Sequence, residues 1–562
     1  MGREQEFALN QKFDAVRNLA SRFTLDSLAA AWRGLAPHHK QSFGVLMLVN
    51  LAVFGYGLIH HPVGDHDLIF FDGYPPEIAY WSGRWFQVVL SFMSFNTTAP
   101  VYVQLLTIFF QVLAAMGMVL LWKPEAGARE LILGGLVICL MPLVNWQHYY
   151  RSTSHFFSFP QLGMVLALIL GAGRTFNWKK AVAAGLLVMI SLATYNPSVQ
   201  TYAVGWAGLL VLRLSRWDGT VLDLSLILKS LVPAALIGVA GGLLYYLTAL
   251  GLIHRGLMDP ASYLNATRSL ADMPTVLPKI LEVAFGHLRY SQQFLPDALK
   301  SLLLCTIYLG LFGLMRQSWF AGRFRLPRLA AVLAGVVFLI FCSKLAFVIT
   351  LHTDYYTGRV AQMSLPYVHL FFVLTALNPE GRLLRELTSY FLILAVLPYM
   401  AVCDLRAQET LVLMARHDFA VANRVMSKME SRLGTGLSGG QYTFVQLGSW
   451  KSLNDYPSQT RLEPHRYLTV VRLDGEPVFR RLSAAFEPKS YHTVSSVTLF
   501  TPTPAPDVVR AAQLAAGRKP FPDDDFIGVY DDLVVLFFDE EARRDVLHLD
   551  SAAKARAILE AR

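Results

Sequence analysis

A chain of 562 residues that is 54% hydrophobic and 16% charged, with mean hydropathy +0.40, falls outside the range of soluble globular proteins and reads as an integral membrane protein. Its formal net charge of +9 is carried mostly by loops between apolar segments, where it suits anionic headgroups and gives no reason to expect a nucleic-acid partner. The four cysteines, Cys139, Cys305, Cys342 and Cys403, all fall within apolar segments, so neither a disulfide framework nor a cysteine metal site is expected.

Residues 1–40 are charged throughout. Phe13, Val16, Ala20 and Phe23 recur at helical spacing with Lys12, Arg17 and Arg22 on other faces, which suits a helix in the cytoplasmic interface and equally an ordinary solvated helix. No apolar h-region precedes Met47, so the first span is expected to act as its own insertion signal. Segments of bilayer-spanning length, about 20 residues each, then follow at 41–61, 99–122, 129–145, 155–173, 179–196, 198–214, 226–251, 298–316, 327–351, 360–378 and 386–403. These make about eleven transmembrane helices in a membrane region spanning 41–404. At "YNPSVQ" (195–200) Pro197 either kinks one hairpin or divides two helices.

Lys and Arg alternate between loops. The N-terminal tail carries Arg3, Lys12, Arg17, Arg22, Arg33 and Lys40. Alternate loops carry Lys123 and Arg129; Arg174, Lys179 and Lys180; Arg213 and Arg216; Arg316, Arg323, Arg325 and Arg328; and Arg382 and Arg385. The positive-inside rule therefore predicts a cytoplasmic N-terminus, and an odd number of spans places the C-terminus outside.

Past residue 404 hydropathy falls, and 405–562 reads as a small extracytoplasmic α/β domain. A helix over 406–432 is followed by strand-like runs "YTFVQL" (442–447), "YLTVVRL" (467–473), "HTVSSVTLF" (492–500) and "DLVVLFF" (532–538), with helical stretches near 507–516 and 551–561. "GTGLSGG" (434–440) has the letters of a dinucleotide fingerprint but follows a helix and precedes a strand, the reverse of the required context, and is expected to be a helix cap and loop. "DDD" (523–525) is expected to be a solvated acidic turn.

Ionisable groups at membrane depth are costly and mark candidate sites. The first external loop, 62–98, holds Asp65, Asp67, Asp72, Glu77, Trp81, Arg84 and Trp85. The loop "NWQHYYRSTSH" (145–155) holds Trp146, His148, Tyr149, Arg151 and His155. "HTDYYTGR" (352–359) holds His352, Asp354, Tyr355 and Arg359, with Lys344 predicted about two turns inside the preceding helix. This mixture suits transfer of a sugar from a lipid phosphate to a hydroxyl. A carboxylate can deprotonate the acceptor, Arg84, Arg151, Lys344 or Arg359 can stabilise the departing phosphate, and the aromatics offer flat faces to sugar rings.

"SGRW" (82–85) after the acidic first loop, "NWQHYYRSTSHFFSFP" (145–160), "ATYNPSVQ" (193–200) and the external tail together resemble the O-antigen serotype-converting glucosyltransferases (Gtr type II) of bacterial envelopes, within the GT-C superfamily. The resemblance spans most of the membrane region and the helix after it. It implies a GT-C-like fold in the bacterial inner membrane and an inverting hexosyltransferase that takes substrates of two kinds: a polyprenyl-phosphate-linked sugar, glucose by family, and an envelope glycan such as lipopolysaccharide O-antigen. It also implies a first-loop aspartate as catalytic base. In that family the acidic pair stands about seventeen residues before Gly-Arg, as Asp67 does before Arg84; here His66 splits the pair, so Asp65 and Asp67 both stand as candidates. Donor-phosphate contacts are expected from Arg84, Arg151, Lys344 and Arg359. Sugar or acceptor contacts are expected from Trp81, Trp85, Trp146, His148, Tyr149, His352, Asp354 and Tyr355. No cofactor and no metal are expected, although the four carboxylates of the first loop leave a cation admissible.

Plainer readings exist for each group. Asp65 and Asp67 suit a helix N-cap, Arg84 a pairing with Asp72 or Glu77, and Lys344 or Arg359 a reach to headgroups. His148, His155 and His352 suit structural roles, and the tryptophans an interfacial belt. Rival functions are a transporter or flippase of lipid-linked sugars, a polysaccharide polymerase or ligase, and a non-catalytic assembly protein; a transporter would show repeated halves and midplane sites, and no internal repeat is visible.

Overall fold

The computed structural model describes residues 32–60, 79–80, 83–92, 100–142, 146–149, 153–172, 177–217, 220–258, 273–289, 296–320, 325–346, 363–378, 382–433, 442–448, 490–494, 505–520 and 523–560. The membrane part is helical. In chain order it comprises α1 (Pro37–His60), α2 (Phe86–Ser91), α3 (Pro100–Trp122), α4 (Ala128–Cys139), α5 (His155–Gly171), α6 (Trp178–Thr194), α7 (Val199–Leu214), α8 (Val221–His254), α9 (Met273–Arg289), α10 (Asp297–Phe320), α11 (Arg325–Cys342), α12 (Leu365–Ala376) and α13 (Arg382–Phe391). Through a π-turn at Leu392–Val396, α13 runs on into α14 (Leu397–Leu433).

Among the described residues, five helical stretches are long and apolar enough to cross a bilayer: Pro37–His60, Val101–Trp122, Leu222–His254, Asp297–Trp319 and Arg382–Thr410. The chain is a polytopic helical membrane protein. The remaining expected spans are shorter, and burial explains how the shortest are tolerated. All twelve residues of α12 are buried; at roughly 18 Å it cannot cross ~30 Å of hydrocarbon, and protein rather than lipid surrounds it. By contrast α8 is 34 residues long and exposes Leu222, Leu226, Leu236, Val239, Leu243 and Leu247, an apolar face for lipid.

Local chemistry sets several boundaries. Asn177 Oδ1 accepts from the Lys179 and Lys180 amides at the start of α6 (3.0 and 3.3 Å). The Glu130 carboxylate accepts from the Gly127 amide (3.1 Å) and pairs with Lys123 (3.0 Å) at the start of α4. Basic residues of alternate loops gather at this end of the bundle. Arg129 reaches Glu386 (2.7 Å), and the fully buried Arg328 donates to the Ser318 carbonyl (3.1 Å) and to that of Trp217.

Several expectations need correction. The helix expected over 406–432 is not separate from the 386–403 span, because one continuous helical path runs from Arg382 to Leu433. Helix α9 was not expected; Val276, Ile280, Val283 and Ala284 form its buried stripe while Lys279 and Glu282 are exposed. Nor is Lys344 inside a helix: α11 ends at Cys342, and Lys344 lies in the turn beyond it.

After Leu433 the described residues form a four-stranded sheet of order β2-β1-β4-β3, from β1 (Thr443–Leu447), β2 (Ser490–Val494), β3 (Ile527–Tyr530) and β4 (Leu533–Phe537). β1 pairs in parallel with β2 and β4, and β3 runs antiparallel to β4. Every residue of β1 and β4 is buried, as expected of central strands covered on both faces. Helix α15 (Pro506–Leu514) supplies Val508, Ala511 and Ala512 to that core, and Val546 comes from α16 (Glu540–Glu560), which begins eleven residues before the expected 551. β3 was missed because four residues are too few for alternation to register. The acidic run behaves as a turn: Asp523 Oδ1 accepts from the Asp525 amide (3.3 Å), and Asp525 pairs with Arg518 (2.8 Å). Arg432 at the end of α14 donates to the Ile527 carbonyl, and Lys428 lies 5.7 Å from the Phe526 ring, so the long helix is bound to this sheet. The expected strand at 467–473 and the run 434–440 lie outside the described residues.

Candidate active site

At the end of the bundle opposite the Arg129–Glu386 pair, the Gly-Arg-Trp turn meets the hairpin between α6 and α7. The turn is closed by its backbone: the Gly83 amide donates to the Tyr80 carbonyl (3.0 Å) and the Arg84 amide to that of Ala79 (2.7 Å). Gly83 has φ +69°, and a Cβ there would lie 2.9 Å from Tyr245 Oη and 3.1 Å from Met258 Cε, so glycine answers both the backbone conformation and the close approach.

Pro197 divides two helices. α6 stops at Thr194, Tyr195 is extended, Asn196–Ser198 make one 3-10 turn, and α7 starts at Val199. Three contacts join this hairpin to the first loop. The buried Gln87 Nε2 donates to the Thr194 carbonyl (2.7 Å), the Arg84 guanidinium lies 5.0 Å over the Tyr195 ring, and Asn196 Nδ2 donates to Tyr245 Oη (2.8 Å), which itself donates to the Gly83 carbonyl (3.2 Å). A half-buried guanidinium beside an aromatic face is held out of bulk water, where an anion binds it more strongly than it would at an open surface.

The same hairpin reaches Lys344. The Ser364 hydroxyl lies 2.9 Å from the Ser343 carbonyl and 3.1 Å from Gln200 Oε1, sharing one hydrogen between them, so the buried Ser343-Lys344 turn is tied to α7 and α12. Arg84 thus touches the hairpin directly, and the Ser343-Lys344 turn is linked to the start of α7 through Ser364, although 260 positions separate Arg84 from Lys344 in the chain. Deeper in the bundle Tyr367 Oη donates to Gln161 Oε1 (2.8 Å), and Gln161 Nε2 to the Phe157 carbonyl (3.2 Å). A polar band thus lines the interior at this end.

His148 is buried, stacked on Phe54 (3.9 Å between centroids) and 2.9 Å from Gln111 Oε1, while its carbonyl accepts from Gln104 (2.7 Å). His155 is fully buried against Phe156. Both imidazoles lie inside the packed bundle. Trp85 packs on the cluster of Met164, Leu168, Val188, Leu192, Tyr202 and Tyr245 rather than standing free at an interface. Asp65, Asp67, Asp72, Glu77, Trp81, Arg151, His352, Asp354, Tyr355 and Arg359 lie outside the described residues, and Trp146 and Tyr149 are described only as ends of a 3-10 turn. Among the described residues no group of three His, Cys, Asp or Glu stands close enough to hold a metal.

Tyr245, Ser364 and Tyr367 were not singled out from the sequence, and Tyr195, Asn196 and Gln200 entered only as part of the "ATYNPSVQ" stretch. The available signal was the amide or hydroxyl side chain inside an otherwise apolar segment, which the bilayer tolerates only where protein partners satisfy it.

The family model described as Glucosyl transferase GtrII matches residues 56–377, more than half of the chain and every element of this site. No curated protein and no solved structure matches it.

Proposed function

Since the chain belongs to the GtrII glucosyl transferase family, we propose that it moves glucose from a polyprenyl-phosphate donor to a hydroxyl of an envelope glycan such as lipopolysaccharide O-antigen, with inversion, on the periplasmic face of the bacterial inner membrane. The observation that carries this reading is the junction, at one end of the bundle, of two segments inside the region the family model matches, which holds the Arg84 guanidinium over Tyr195. In the proposed reaction the acceptor oxygen attacks the anomeric carbon as the bond from that carbon to the phosphate oxygen breaks. The acceptor proton passes to Asp65 or Asp67, and the lipid phosphate leaves with the bonding pair. Arg84 and Lys344 meet its charge, joined by Arg151 and Arg359. Trp81, Trp85, Trp146, Tyr149, His352, Asp354 and Tyr355 are the proposed sugar and acceptor contacts, while His148 is left to hold the bundle. Cation chemistry is supplied by side chains in this scheme, with no metal required.

Purified protein given a short-chain polyprenyl-phosphate glucose is expected to release polyprenyl phosphate only when an O-antigen acceptor is present, and to do so undiminished in a metal chelator. Release without acceptor, or movement of the lipid between leaflets without transfer, would overturn the reading; loss of activity in chelator would overturn the metal-free scheme.

A further inference from the structure

We propose that Tyr245 is a positioning residue for Arg84, acting by pinning the peptide that carries it. This inference rests on the reading of Arg84 as a donor-phosphate ligand. Both polar atoms of the Gly83–Arg84 peptide are engaged: the Gly83 oxygen accepts from Tyr245 Oη (3.2 Å), and the Arg84 amide donates to the Ala79 carbonyl (2.7 Å). A peptide is planar with its oxygen and amide hydrogen on opposite edges, so holding both edges fixes the direction in which the Arg84 side chain departs. The same hydroxyl accepts from Asn196 Nδ2 (2.8 Å), and Asn196 follows Tyr195, the ring beneath the guanidinium. One buried hydroxyl thus sets both the origin of the arginine and the surface on which it lies.

The placement of Tyr245 supports a directing role. It stands on α8, whose neighbouring Leu243, Leu244, Tyr246 and Leu247 are exposed, whereas Tyr245 turns inward and is 7% exposed. Contact with Gly83 is so close that the position admits no Cβ without displacement of the hydroxyl. Arg84 has a long side chain with several rotatable bonds, and an unpinned backbone would let the guanidinium sample positions in which bidentate contact with a phosphate is lost.

Tyr245→Phe removes the hydroxyl and keeps the ring that packs with Val188, Leu192 and Tyr202. It is expected to melt with the wild type and to lower kcat/KM for polyprenyl-phosphate glucose roughly tenfold while leaving the acceptor KM unchanged. Asn196→Ala should show a smaller loss of the same kind. In an Arg84→Gln background Tyr245→Phe should change the rate by less than about twofold, because its effect passes through the arginine. If Arg84→Gln keeps full activity, the role given to Arg84 fails, and the proposal with it. If Arg84→Gln is impaired but Tyr245→Phe is silent, or its loss multiplies undiminished in the double variant, the positioning role alone is overturned.

Discussion

Asp65→Asn or Asp67→Asn is expected to abolish most turnover, with one of the two falling by roughly 10²–10⁴-fold and the other by far less. One attacking hydroxyl needs one base, and asparagine retains the shape and hydrogen bonding of aspartate while being unable to accept the proton. The donor should still bind, since the cations proposed to meet its phosphate are untouched; a fluorescent short-chain donor titrated into each variant tests this separately from rate. A helix-capping role predicts the opposite pattern, in which both variants turn over nearly as fast as the parent, because asparagine caps as well as aspartate. The pair is the sharpest test of the enzymatic reading, for it opposes a chemical role to a structural one at fixed side-chain size.

The second large effect concerns stability. Gly310 on α10 faces α12 so closely that a Cβ would lie 2.3 Å from the Phe372 carbonyl oxygen and 2.5 Å from the Phe372 Cβ. Gly313, nearly one turn on, would meet the Thr375 carbonyl at 2.7 Å, and Thr375 Oγ1 donates to the Gly310 carbonyl (3.0 Å). Backbone lies against backbone, as membrane helices do where small residues permit. Gly310→Ala must therefore push the helices apart, and overpacking of this kind costs about 1–3 kcal/mol. The N-terminal turn of α12 is preceded by Ser364, which joins the Lys344 turn to Gln200, so transfer activity should fall with stability. Gly242→Ala on α8 is the control: nothing lies within 4 Å of its Cβ position, and the helix should tolerate or welcome the methyl group. Thermal unfolding in detergent that left Gly310→Ala unchanged, or moved both variants alike, would contradict this packing.

How much of the molecule was legible in advance differs by element. Helices α1, α3, α5, α6 and α7 begin and end within a few residues of their expected positions, since apolar run length and flanking charge are local properties. β1 and β4 were found because valine, leucine and phenylalanine cluster between polar flanks. α9 was missed because its apolar stripe is diluted by Lys279, Glu282 and two prolines. The break expected between 403 and 406 arose from a fall in hydropathy at Asp404 and Arg406, yet a drop in hydropathy marks where a helix leaves apolar surroundings and does not by itself end one.

The sequence alone determined the membrane class, the family resemblance and the short motifs that carry it, because composition, period and spacing are all readable along one dimension. Only the tertiary structure decided that the Gly-Arg turn is fastened to the Tyr-Asn-Pro hairpin, and that Tyr245 and Gln87 are the fasteners. Tyr245 and Gly83 are 162 residues apart. A hydrogen bond across that separation leaves no periodicity and no composition bias in either segment; it exists because packing of α8 against α6 brings a tyrosine hydroxyl to a glycine whose missing side chain lets it approach.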